Sequence, residues 1–447
     1  PVPGVPINCY EDDYLELSHL ELQNSLMSHQ MYRNWCTLME AELALLQDLD
    51  FDVDREKFFG QSIYASGTEN SKNVVTINSL ANSNTQSWTS NTDRAIGLHI
   101  YGNNNNVTLS DGTNITANGS YSMGVRVDGV GNGLTISSDI NVGDEDTDRH
   151  NYGISVNYGK GHNVIISSGV SVVAQGKGSV GAIFDFGSNE LSDAVEYRGS
   201  YIRGAYSDDV GSFENNEAEL FGNVLTDANT GGPLAGALIE EFNVNGTLQG
   251  EKAIYISPNA LVETINVMDG DTVEGDIISE WNPEGVEYFY TRDYGGENPY
   301  RGLKPNIPAG ANLDNYRTNL NLAGNRTFTD NIIGPYGLIM NVKSGDLTTA
   351  NASDKVSSHV NVHSVNVGDG AAGNPQATYT VKNILMANNG YGAINVMGNG
   401  SLALAKDTTN NSVGTILISF NDDDGDGKAK SGIINNEGTV SFQNGEL

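Results

Sequence analysis

The sequence predicts an all-β chain, a right-handed parallel β-helix preceded by a short α-helical N-terminal region. Three observations carry this. From about Phe59 onward, short apolar–polar alternations recur between Gly, Asn, Asp, Ser and Thr. These phrases keep a constant register over four copies. Only the first fifty or so residues have helical grammar.

Residues 11–50 contain no Gly or Pro and are rich in Leu, Met, Glu, Gln and Ala. Leu15, Leu22 and Leu26, then Trp35, Met39, Leu43 and Leu46, fall at helical spacing. A break near Ser28–Gln30 divides the stretch into two predicted helices. Residues 1–59 are therefore expected to cap the open end of another structure, with a separate head as the other arrangement. The two cysteines, Cys9 and Cys36, both lie here. A disulfide between them would add about 3–4 kcal/mol, and two free buried thiols are the alternative. Neither sits in a CxxC pair or beside a His at metal-ligand spacing, so redox and zinc roles are not expected.

The repeat is clearest in "GLHIYGNNNNVTL" (97–109), "GVRVDGVGNGLTI" (124–136) and "GISVNYGKGHNVII" (153–166), with "GAIFDFG" opening a fourth copy at Gly181. The opening glycines stand 27, 29 and 28 residues apart. Each copy supplies two short strands and then a third, such as "SSDINV". A strand carrying Val125 and Val127 cannot bury its apolar face alone. Stacked copies can, with Ile100, Val127, Val156 and Phe184 in one interior column and Leu109, Ile136 and Ile166 in another. Gly and Asn are assigned to the corners, and stacked asparagines are expected to bond along a column. Coils of this kind would number roughly fourteen to nineteen over residues 60–447. A propeller blade needs about 40–50 residues, so the period excludes it. The stretch 280–310 breaks the pattern with Pro, Gly and aromatics and reads as a loop insertion.

The phrases "VNGTLQGEKAIYISPNALVETINVMDGDTVEGDIIS" (244–279) and "GIINNEGTVSFQNG" (432–445) resemble the passenger region of a bacterial autotransporter, a type V secretion protein. The likeness covers 60–447 in style and 244–279 most closely. The N-terminal helical region with its cysteines departs from it. The resemblance implies export through the periplasm and display on the outer surface, with a role in cell adhesion and virulence. It also implies a signal peptide before residue 1 and a translocator barrel after residue 447. The chain stops inside a repeat phrase, so a longer protein is expected.

Many such passengers are proteases, but neither a GDSGS motif nor the GTS and HGT motifs of the subtilisin-like type occurs. None of the seven histidines follows a nucleophile-elbow sequence. The expected function is thus a non-enzymatic adhesin, bound to a host surface protein or glycan or to a second copy. The alternative is the stalk of a subtilisin-like autotransporter protease, or a polysaccharide-active β-helix. The candidate binding residues are the insertion's aromatics: Trp281, Tyr288, Phe289, Tyr290, Tyr294 and Tyr300. Their other role would be to pin the loop to the helix side.

In "DDDGDGK" (422–428), Asp422, Asp424 and Asp426 precede Gly427 as in the first half of a calcium loop. Position 12 is Ile433, where a bidentate Glu belongs, so the choice is a weak calcium site or a plain acidic turn. No other cofactor is expected. With 56 acidic against 23 basic residues the net charge is -33, which repels nucleic-acid phosphates and anionic headgroups. No apolar run approaches the roughly 18 residues of a membrane span, so no membrane insertion is expected of this segment.

Overall fold

A computed structural model describes residues 20, 22, 24–28, 35, 37–80, 86–144, 149–187, 189–191, 194–200, 202–205, 236–285, 307–350, 359–371, 373–382, 385–388, 393–405, 415–418, 420–421, 430–431 and 433–443. The chain is a parallel β-helix solenoid with one α-helix among these residues. Each coil lays down three strands, one on each of three faces. The second coil is representative: Ile96–Ile100, Asn105–Leu109 and Ile115–Ala117. Within the coils the strands pair in parallel with their counterparts in neighbouring repeats, with one exception on the third face, so Ile100 stands over Val127 and Leu109 over Ile136.

The interior columns form as the alternation predicts. Ile100, Val127, Val156 and Phe184 are in register and buried, as are Leu109, Ile136 and Ile166. Together with the third-face residues Ile115, Ile140 and Val172 they belong to one continuous core. Eleven coils are described, fewer than the period suggests, and the last comprises Thr415–Ile418, Ile433–Asn436 and Thr439–Gln443. The shortfall arises because chain is spent outside the coils: between Phe184 and Ile239, where Asn189–Leu191, Ala194–Gly199 and Ile202–Ala205 form a separate antiparallel sheet, and between Ser279 and Thr318.

Gly129, Gly131, Gly159 and Gly161 take positive φ at the corners as expected, while the opening glycines of the repeat do a different job. Gly124 lies inside the strand Met123–Val127, and a Cβ there would stand 2.2 Å from a methyl of Ile140 and 2.6 Å from the Gly153 carbonyl. Glycine is kept because the first and third faces converge there.

The second face carries an asparagine ladder. Asn243, Asn266, Asn321, Asn341, Asn366, Asn395 and Asn435 are successive partners in register. Each amide donates to the one before it, at 2.7–3.0 Å. All six bonds run the same way, so their dipoles reinforce one another. In earlier coils the same column is occupied by Thr76, Thr108, Thr135 and Ile165.

The first of the two expected N-terminal helices falls mostly outside the described residues. Among the described residues α-helix is confined to Glu40–Asp48, and residues 24–28 are turns with isolated bridges Leu20 to Ser28 and Ser25 to Thr37. The region lies along the outside of the first face. Leu43 packs on Phe59, Ile96 and Met123, while Leu20, Leu22, Met39 and Ala41 pack on Tyr64 and Tyr101. The reason is in the strands themselves: Phe59, Ile96 and Met123 are outward-facing apolar residues on consecutive coils. That stripe needs a cover along the side of the stack, and the amphipathic segment supplies it. Cys9 and Cys36 lie outside the described residues.

Candidate functional site

The cover seals a polar cluster against the first face. His99 and Arg126 are neighbours in register on that face, and Asp128 follows at the corner. Asp128 Oδ2 lies 2.8 Å from His99 Nε2 and accepts from Arg126 Nε at 2.8 Å. Arg126 Nη2 reaches Asp128 Oδ1 at 3.4 Å. His99 and Arg126 are 0% exposed. Burial alone would raise the Asp128 pKa, but the Arg126 charge and the His99 hydrogen bond overcome it and hold the carboxyl at about 2. Burial holds His99 below its ordinary value, against the pull of Asp128. Above the cluster, the Glu42 carboxylate accepts from Ser25 Oγ and from the backbone N–H of Met27 and Met39. That Met39 contact holds the helix N-terminus. Among the described residues His99 Nδ1 has no hydrogen-bond partner. The pair touches the cover through Asn24 Nδ2, which lies 3.5 Å from Asp128 Oδ1.

An open site appears on the third face. There the ladder runs from Trp88–Ser90 through Ile115–Ala117, Ile140–Val142 and Ser171–Ala174 to residues 247–249 and then 272–274. It resumes at Arg326–Phe328, which pairs forward with Leu347, Thr348 and Thr349. Among the described residues no ladder joins 272–274 to Arg326–Phe328. On the other two faces the same coils stay paired, Ile265 with Leu320 and Ile254 with Ile277. Two coils therefore splay apart on one face only.

The splay opens a cleft of about 650 Å³, whose lining includes Glu251, Asp271, Glu274, Arg326, Phe328 and Asp330. Its two ends are tied. At one end Arg326 Nη2 donates to the Met268 carbonyl of the preceding coil, and to Ala323 O at 2.6 Å. At the other, the Gly275 N–H donates to Asp330 Oδ2 at 3.2 Å and Asn331 donates to Asp276. Burial lowers the Arg326 pKa, and Asp271 and Asp269 oppose that. Burial raises the Asp271 carboxyl, while the Met268 N–H and Arg326 pull it down. Arg326 Nε is buried without a partner among the described residues. Val273 packs partly on the core and Phe328 belongs to it.

Of the aromatics proposed from sequence, Trp281 is 1% exposed and donates from Nε1 to Tyr316 O at 2.7 Å. Its ring anchors the coil and is closed to a ligand, which corrects its place among the candidate binding residues. Tyr288, Phe289, Tyr290, Tyr294 and Tyr300 lie outside the described residues, as do Asp422, Asp424 and Asp426. Among the described residues no group of three or more His, Cys, Asp or Glu side chains is placed to hold a metal ion. Sequence reasoning missed the cleft. Its local signals were the acidic run at 269–276 and the insertion that separates it from Arg326, but nothing in the alternation marks a missing rung. No protein-family model, curated protein or solved structure matches this chain.

Proposed function

We propose that the chain is a surface-displayed binding rod, the passenger of a bacterial autotransporter, and that it acts as a non-enzymatic adhesin. Its partner is a host surface protein or glycan, or a second copy. The observation that carries this reading is the second face, where one outward polar column repeats from coil to coil with an asparagine in seven successive strands. Repeated weak contacts along a rod add up through effective concentration, so a smooth repetitive face suits adhesion. The sealed His99–Asp128 pair also supports it, since the pair is inaccessible to substrate.

The test is display of the chain on a non-adherent bacterium. Wild-type display should confer attachment to matrix-coated surfaces or cell–cell aggregation. Replacing Tyr288, Phe289 and Tyr290 by Ala should remove it while the far-UV circular dichroism stays unchanged. Display without any gain in attachment overturns the reading. The polysaccharide-active alternative draws on one observation, the carboxylates of Asp271, Glu274 and Asp330 around Arg326 in one cleft. Release of reducing ends from a neutral glycan by wild type, and not by Glu274→Gln, would favour it.

A further inference from the structure

The cleft on the third face has the anatomy of a missing strand. On one side, residues 272–274 pair backward with Thr247, Leu248 and Gln249 and, among the described residues, have no ladder forward. On the other, Arg326–Phe328 pairs forward and, among the described residues, has no ladder backward. Two strand edges thus face each other across the gap, and unpaired edges are templates for another strand. Both run in the same direction, because every rung of this face is parallel. One inserted strand would therefore meet both edges in the same sense. The corner ties at Arg326 and Asp330 hold the gap open at a fixed length of about three residues.

The lining states what kind of strand fits. Val273 turns toward the core from the middle of one edge, so the guest residue beside it points inward and is apolar. Its neighbours point outward, toward a cleft lined by the carboxylates of Glu251, Asp271, Glu274 and Asp330 and, among the described residues, by one cation, Arg326. A sugar is served less well, because Phe328 is buried and offers no ring for stacking. We propose that this cleft is a strand-acceptor slot for an extended peptide segment with a basic–apolar–basic pattern, bound by β-augmentation. It rests on the binding-rod reading and gives that rod a partner class.

The test uses the whole chain and three probes: Ac-Thr-Lys-Val-Lys-Thr-NH2, its Glu-for-Lys counterpart, and cellohexaose. Binding is followed by calorimetry and by amide hydrogen exchange. The lysine peptide should bind, and should slow exchange at residues 272–274 and 326–328 alone. The double variant Glu251→Gln/Glu274→Gln should bind it at least tenfold more weakly. Glu263→Gln, on the second face, should leave it unchanged. No binding, equal binding of the acidic peptide, or binding without protection at these edges overturns the slot. So does protection by cellohexaose in place of the peptide, which would make the cleft a glycan site. Attachment by displayed cells in the absence of peptide binding sinks the slot and leaves the adhesin. Peptide binding without attachment supports the slot and sinks the adhesin.

Discussion

Asp128 and Arg126, two residues apart on one strand end, form an ion pair that solvent does not reach, with Nε 2.8 Å from Oδ2. Removing one member of a buried pair strands the other charge. Asp128→Ala should therefore cost about 3–5 kcal/mol, read as a lowered urea midpoint. The same carboxyl has a folded pKa of about 2 against 3.8 unfolded. A depressed carboxylate contributes stability above its unfolded pKa and loses it as pH falls through the folded value. About 2 kcal/mol should vanish between pH 4 and pH 2, and the loss should be absent in the variant.

A second pH dependence lies nearer neutrality. His162 Nε2 is 2.9 Å from the Tyr158 carbonyl, and its Nδ1 accepts from the Asn132 N–H at 3.2 Å. These two bonds require the neutral ring, and burial lowers its pKa. His99 is lowered in the same direction. Below 6.5 the unfolded chain takes up protons that the folded chain refuses, so stability falls as pH drops. Each group contributes a slope of up to about 1.4 kcal/mol per pH unit below 6.5. Unfolding at pH 7.5 and pH 5.5 should differ in wild type and differ less in His162→Gln.

The asparagine ladder should weaken by position. Asn341 is buried, donates to Asn319 and Asn321, and accepts from Asn366. Asn435 is exposed and makes the last bond of the series, to Asn395. Asn341→Ala should cost about 2 kcal/mol, and Asn435→Ala under about 0.5 kcal/mol. Equal melting temperatures for the two would refute the ladder as a stabilising element.

Two glycines with similar backbone demands should respond differently. Gly159 has φ +97°, and a Cβ there would fall 1.4 Å from the Gly129 carbonyl oxygen. Gly169 has φ +77° and open space around it. Gly169→Ala should cost about 1 kcal/mol from backbone strain alone. Gly159→Ala should cost more than about 3 kcal/mol, because one coil's backbone must shift from its neighbour's. Thermal melts of the two variants side by side check this.

The constant period and the alternation determined the coils, the interior columns from Ile100 to Phe184, and the stacking of asparagines. Those features repeat within one coil and its neighbour, so the pattern that makes them is local and written many times. The tertiary structure alone decided three others. The N-terminal segment lies along the side because Phe59, Ile96 and Met123 align only once the coils are wound. His99, Arg126 and Asp128 meet beneath it because two coils bring them together. The cleft opens where residues 272–274 and Arg326–Phe328, more than fifty residues apart, fail to pair. A missing contact between distant segments leaves no periodic mark, whereas a repeated one does.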